Sequence, residues 1–188
     1  MQPKKLTQNL NKIFYKSTIY LYIVLIFISS IFFNFYSGYR GVFPIDSFLI
    51  YDAGYKVLNG FHPFKDYWSI TGPVLDYLQY FFFKIFGVNW FSYLLHSSTV
   101  NIAVSIILFY FFLIVGLDKI YCFLYAFCCS ILAYPTAGTP FMDHHAVFFS
   151  FISIIFLLLA LKENKDKFWF FVPIFLFISF LSKQIPSA

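Results

Sequence analysis

Apolar residues fill five long stretches of the chain, and shorter polar segments separate them. The stretches cover residues 17–36, 91–115, 119–134, 146–161 and 168–182. A helix needs about 20 apolar residues to cross the hydrocarbon core of a bilayer. The pattern therefore predicts an all-α fold, a multi-pass transmembrane helical bundle with five spans.

The segment 37–90, between the first two spans, mixes polar and apolar residues. It is too polar to be a span and too apolar to be a plain solvated loop. Within it, residues 46–59 predict a short helix, N-capped by Asp46 and stopped by Gly60. Apolar residues at helical spacing over 73–86 predict a second helix, lying in the membrane interface. The polar residues between them are Asp76, Gln79 and Lys84. The segment thus predicts a long first outer loop with interfacial helices.

Composition supports a membrane protein. The chain of 188 residues is 61% hydrophobic and only 11% charged, whereas a soluble domain is typically about 25% charged. The same values exclude a disordered chain, which needs low hydrophobicity and high charge. The sequence therefore predicts a single membrane domain over 1–188, surrounded by membrane lipids.

The distribution of charge predicts the orientation of the spans. If successive spans alternate in direction, the side of the N-terminus carries eight lysines and three acids, net +5. The other side carries five basic residues and five acids, net zero. Lysine collects on cytoplasmic loops, so the N-terminus is expected in the cytoplasm and the protein in the inner (plasma) membrane. The basic residues are scattered, and no nucleic-acid partner is expected.

Five of the eight acids lie on the outer side, within two loops. A charged side chain inside the bilayer costs about 2.5–3.5 kcal/mol on insertion scales, so acids kept at a membrane boundary indicate a functional site. Asp46 and Asp143 are the candidate catalytic residues. Each also stands at the start of a predicted helix, where the alternative role is an N-cap that accepts backbone N–H groups.

Five further residues are candidates for substrate binding. His144 and His145 offer a base or a phosphate contact beside Asp143. Neighbouring helix positions point about 100° apart, so one metal ion is not expected to bind both, and no metal or cofactor is predicted. Lys65 and Lys183 are candidate phosphate-binding cations, and Asp66 adjoins Lys65. The alternatives are solvated loop charges for Lys65 and Asp66, and snorkelling at a helix end for Lys183.

The order of motifs after the first span carries a family resemblance. An acid is followed by a Tyr/Ala helix, a Leu-x-Gly-x-x-Pro-Phe-x-Asp turn and a proline-containing helix that ends in Ile-Phe-Gly. The matching residues are Asp46, Tyr51, Ala53, Leu58, Gly60, Pro63, Phe64, Asp66, Pro73, Ile85, Phe86 and Gly87. This order resembles the first outer loop of GT-C superfamily glycosyltransferases of the protein mannosyltransferase and aminoarabinose transferase type. Asp143, before the fourth span, also resembles a family acid.

The resemblance implies transfer of a sugar from a polyprenyl-phosphate donor to a lipid, glycan or protein acceptor on the outer face of the membrane. Asp46 would take the proton of the acceptor hydroxyl, Asp143 would orient the acceptor or the sugar, and a nearby cation would stabilise the leaving phosphate. Family members usually have eight or more spans. The chain is therefore expected to be the N-terminal part of a longer module, which need not be active by itself.

A non-catalytic or transport-type membrane subunit that handles lipid-linked sugars is the alternative function. Transport predicts ionisable side chains deep within spans. The spans of this chain hold almost none, and His96 is the nearest exception. His96 is expected to be a hydrogen-bonded helix residue rather than a ligand.

Overall fold

A computed structural model describes residues 3–41 and 46–183, with side chains from residue 16 onward. This part of the chain forms seven α-helices and contains no strand, which confirms the all-α prediction. The helices are α1 (Pro3–Arg40), α2 (Leu49–Leu58), α3 (Pro73–Phe86), α4 (Trp90–Val115), α5 (Lys119–Leu132), α6 (Met142–Glu163) and α7 (Asp166–Ser182). Lys4, Lys5 and Lys12, which contribute to the predicted orientation, lie outside the described side chains.

Three helices are long and apolar enough to cross a membrane: Lys16–Arg40 within α1, and the whole of α4 and α6. They are consistent with the predicted membrane protein. α5 and α7 lie where the third and fifth spans are predicted, but have 14 and 17 residues. At 1.5 Å per residue they extend about 21 and 26 Å, less than a hydrocarbon core of about 30 Å. The complete five-span topology stays a prediction.

α4 lies at the centre of the bundle, where it contacts α1, α3, α5 and α6. Ile26, Phe109, Cys122 and Ala126 join α1, α4 and α5 in one fully buried apolar cluster. α7 packs along α6, and α2 packs on α3. α2 and α3 are therefore held to the bundle mainly by contacts of α3 with α4 and α7.

Polar side chains also connect the helices inside the bundle. Asn101 donates from Nδ2 to Asn34 Oδ1 (3.0 Å) and to the Ser130 carbonyl (2.8 Å). Asn34 Nδ2 donates in turn to Ser97 Oγ (3.2 Å), and Ser29 Oγ lies 2.7 Å from Ser130 Oγ. All five residues are buried. Between apolar helices such hydrogen bonds stabilise one arrangement, because an unpaired polar group in hydrocarbon is costly.

Close backbone contacts gather several chain segments at one end of the bundle, called here the α2–α3 end. Trp90 Nε1 donates to the Gly38 carbonyl (3.0 Å), which joins α4 to α1. Gly138, after α5, has φ +72° and packs on the same glycine so closely that a Cβ would lie 2.6 Å from Gly38 N. The Gly72 N–H donates to the Ser182 carbonyl (3.1 Å) and so joins the segment before α3 to α7.

The bounds of α3 are those predicted, but two of its polar residues face inward. An amphipathic interfacial helix would turn Asp76 and Gln79 toward water. Both are instead fully buried against polar partners in the bundle. The exposed apolar residues of α3 are Tyr77, Phe81, Ile85 and Phe86. The interfacial position of α3 stays a prediction, and Asp76 and Gln79 face inward because their polar groups find hydrogen-bond partners there.

Candidate active site

The two loops that carry Asp46 and Asp143 meet at the α2–α3 end through Tyr93, a fully buried residue of α4. Its hydroxyl donates to the Ser47 carbonyl (2.5 Å) and lies 3.5 Å from the Pro140 carbonyl. Ser47 Oγ is also 3.5 Å from Thr139 Oγ1. Ser47 follows Asp46 in the chain, and Thr139 precedes Asp143 by four residues. The structure therefore brings the loop segments that carry the two candidate acids into contact.

Asp46 lies in a turn before α2 and is half-buried. Helix α2 begins at Leu49, and Phe48 occupies its N-cap position without a side-chain hydrogen bond. The prediction that Asp46 caps this helix is therefore wrong. The physical reason is that Tyr93 holds the Ser47 carbonyl, so the first helical hydrogen bond runs from Asp52 N to the Phe48 carbonyl (2.8 Å).

Asp143 lies in the first turn of α6 and forms an ion pair with Lys183, the C-cap residue of α7. The N-cap of α6 is Phe141, so the alternative role of Asp143 as the cap is also wrong. Both side chains remain partly exposed, at 41% for Asp143 and 29% for Lys183. An exposed pair of this kind contributes about 0–1 kcal/mol. Two candidate site residues, far apart in sequence, are thus adjacent in space and open to solvent or substrate.

His144 is half-buried and lines a small cavity in the second loop. The cavity has a volume of about 250 Å³, and we call it the second-loop cavity. Its described lining residues are Thr136, Ala137, Thr139, Phe141 and His144. Thr139 connects the cavity to Ser47 of the first loop, so the cavity borders the contact between the two loops.

His145 is fully buried and belongs to a chain of hydrogen bonds inside the bundle. Its Nδ1 lies 2.8 Å from Tyr134 Oη, and its Nε2 lies 3.1 Å from His96 Nε2. His96 Nδ1 lies 2.9 Å from Gln79 Oε1, and the Phe141 N–H donates to Tyr134 Oη (2.9 Å). His145 Nδ1 also lies 2.9 Å from the Phe141 carbonyl oxygen, so this nitrogen either donates to that carbonyl or accepts from the Tyr134 hydroxyl, and it cannot do both.

These hydrogen bonds hold His145 in the interior of the bundle rather than in the open site. His145 can therefore act on a substrate only through the residues that surround it. The substrate-binding role of His145 stays a prediction. The expectation that His96 is a hydrogen-bonded helix residue is confirmed.

Lys65 and Asp66 lie in the exposed turn between α2 and α3. Asp66 Oδ2 accepts from the His62 N–H (2.8 Å), so its carboxylate stabilises the turn in which Asp66 itself lies. This local contact agrees with the alternative interpretation of Asp66 as a solvated loop charge. The roles of Lys65 and Asp66 in substrate binding remain predictions.

Asp76 is a buried acid that the sequence did not single out as a site residue. Its Oδ2 accepts from the Tyr67 hydroxyl (2.8 Å) and from the Ser69 hydroxyl (3.4 Å), and its Oδ1 is buried without a hydrogen-bond partner in the described structure. Burial raises the pKa of Asp76 to about 6 from 3.8, although these hydrogen bonds lower it. Burial is the main cause that raises the pKa of the Tyr67 phenol, and its hydrogen bond to the Asp76 carboxyl raises this pKa further.

The raised pKa of Asp76 predicts that the folded protein loses stability as pH rises. Between pH 3.8, the ordinary pKa of the carboxyl, and about pH 6, its pKa in the folded protein, the folded state binds more protons than the unfolded state. The contribution of Asp76 to the free energy of unfolding is therefore fully present below about pH 4 and is lost as pH rises through about 6. The loss is about 3 kcal/mol, since one pKa unit corresponds to about 1.4 kcal/mol. Asp76→Asn is expected to remove this slope when unfolding in detergent is measured across the range.

Asp52→Asn provides the matched control for this measurement. Asp52 lies on α2 with its side chain 58% exposed, paired with Lys56, so its removal should leave the slope unchanged. A slope that survives in Asp76→Asn would assign the pH dependence to another group.

Among the described residues, no three His, Cys, Asp or Glu side chains come together as ligands for a metal ion. Comparisons of the chain with protein-family models, with curated proteins and with solved structures found no match.

Proposed function

We propose that the protein is a membrane glycosyltransferase that moves a sugar from a polyprenyl-phosphate donor to an acceptor at the α2–α3 end of the bundle. One observation carries the proposal: the loop segments of Asp46 and Asp143 touch through Ser47 and Thr139 and are held together by Tyr93. The two loop segments that carry these carboxylates, from distant parts of the chain, thus meet at the α2–α3 end. The motif order after the first span supports the same reaction.

In the proposed reaction, the acceptor oxygen attacks the anomeric carbon of the donor sugar. The Asp46 carboxylate takes the proton of the acceptor hydroxyl as the new C–O bond forms. The bond between the anomeric carbon and the phosphate oxygen breaks, and polyprenyl phosphate leaves from the opposite face with inversion of configuration. Asp46 can serve as this base because its side chain is partly exposed and does not cap α2.

Lys183 would supply the cation for the leaving phosphate. Its ammonium group already contacts a carboxylate, Asp143, at the edge of the site. Developing negative charge on the phosphate would compete with Asp143 for this group, because a fixed cation stabilises charge that forms in the transition state. Asp143, released in part from the pair, would orient the acceptor or the sugar.

The experiment is a transfer assay in vesicles that contain the full chain, with radiolabelled polyprenyl-phosphate sugars as donors and membrane glycolipid extracts as acceptors. We expect a new labelled glycosidic product that forms only when the protein is present. If a panel of hexosyl and pentosyl donors yields no product, the transferase proposal is wrong.

A transport-type subunit for lipid-linked sugars is the second candidate. The observation that favours it is the buried pair of His96 and His145, two ionisable side chains within apolar helices. Such groups mark substrate or proton pathways in membrane proteins. The same vesicles separate the two candidates, since transport moves the labelled lipid between leaflets without forming a new glycosidic bond.

A further inference from the structure

The geometry points to the second-loop cavity as a binding site for one neutral sugar ring. This inference rests on the proposed transferase for the sugar class and adds where the ring would lie. The cavity borders the contact between the two loops, because Thr139 lines it and also meets Ser47 of the first loop. His144, the residue after Asp143, lines it as well.

The size of the cavity fits a small ligand. Its volume of about 250 Å³ is just below the range of about 300–1,000 Å³ that drug-sized ligands occupy. A single pyranose or furanose ring has about a dozen heavy atoms and matches this volume. An oligosaccharide or an isoprenoid chain would have to extend out of the cavity.

The lining suits a ring that has both apolar and hydroxyl surfaces. Phe141 and His144 present two rings at 75° to each other, with centroids 5.6 Å apart. Thr136 donates its hydroxyl hydrogen to the Ala133 carbonyl (3.2 Å), so its oxygen still has a lone pair for a ligand hydroxyl. Aromatic faces can pack on the C–H groups of a sugar while threonine oxygens accept from its hydroxyl groups.

Charge argues for a neutral occupant. The described lining residues include no lysine, arginine, aspartate or glutamate. A phosphate in this cavity would lose its hydration without gaining a cation, which is costly. The sugar would therefore enter the cavity while its phosphate stays outside, where Lys183 pairs with Asp143.

The test is ligand-observed NMR on the full chain in detergent, with saturation transfer to D-glucose, D-galactose, D-mannose and L-arabinose. At least one sugar should show a signal. Ala137→Phe, which places a ring in the cavity, should reduce that signal at least about fivefold, whereas Ala103→Phe on the exposed side of α4 should not, because blocking the binding volume removes the contacts that hold the ligand. Glucose 1-phosphate should bind no more tightly than glucose.

A second variant covers the case in which Ala137→Phe does not fold. Thr136→Val keeps the side-chain shape and removes the hydroxyl, so it should weaken binding about 2- to 10-fold, the usual range for one hydrogen bond. The inference is overturned if no sugar in the panel gives a signal, if Thr136→Val leaves binding unchanged, or if only the phosphorylated sugar binds. Sugar binding that persists in a protein without transfer activity would overturn the proposed transferase and leave the cavity assignment intact.

Discussion

Asp46→Asn is expected to slow sugar transfer at least about tenfold, because positioned acid–base groups typically contribute 10²–10⁴-fold. Asparagine keeps the size of the side chain but cannot take the proton from the acceptor hydroxyl. Since the Asp46 side chain does not cap α2, the substitution should leave folding and membrane insertion intact. The measurement is the initial rate of product formation in vesicles that contain equal amounts of inserted protein.

Asp52→Asn is the control for the loss of a negative charge in the same loop. Asp52 is exposed and pairs with Lys56, so its replacement should leave the transfer rate close to that of the wild type, because Asp52 takes no part in the proposed proton transfer. If Asp46→Asn transfers sugar at the wild-type rate, another group must act as the base. The role of Asp46 that the resemblance to glycosyltransferases implies would then be wrong.

The positions of the helices could be predicted well from the sequence, because long apolar runs and glycine or proline boundaries fix them locally. The predicted segments 91–115 and 73–86 correspond closely to α4 and α3. The direction in which each face points could not be predicted in the same way. In a membrane protein both lipid and the interior accept apolar residues, so the apolar pattern of α3 did not show that Asp76 and Gln79 face inward.

Polar residues inside the predicted spans indicate which helix face packs in the interior, and the apolar pattern alone does not show this. Ser97, Asn101 and Ser105 recur every fourth residue along α4 and are all fully buried. Such a stripe lies on one helix face, and polar groups in hydrocarbon turn toward partners. The stripe predicts that this face meets other helices, although it could not identify Asn34 or Ser130 as the partners.

The candidate site was predictable only in part. Asp46 and Asp143 could be chosen from their positions at a membrane boundary, but the N-cap role predicted for Asp46 was wrong, as was the alternative N-cap role of Asp143. For Asp46 the cause is Tyr93, whose hydroxyl binds the Ser47 carbonyl across 46 residues of chain. A local rule for helix starts cannot include a contact that exists only after the helices pack. The pairing of Asp143 with Lys183 arises from packing in the same way.

Gly72→Ala is expected to destabilise the protein by about 3 kcal/mol or more, at the upper end of what overpacking costs. A Cβ at residue 72 would lie 1.5 Å from the Leu181 carbonyl oxygen and 2.1 Å from its carbonyl carbon. These are backbone atoms of α7, which cannot turn aside as the end of a flexible side chain can. The clash should also break the hydrogen bond from Gly72 N to the Ser182 carbonyl.

The consequence for the site follows from Lys183, which comes directly after Ser182 and pairs with Asp143. If the end of α7 moves away, this ion pair should separate, and the variant should lose transfer activity together with thermal stability in detergent. Gly41→Ala is the matched control, because an added Cβ there has open space around it. A Gly72→Ala protein that unfolds at the wild-type temperature would show that α7 does not pack against the start of α3 as described.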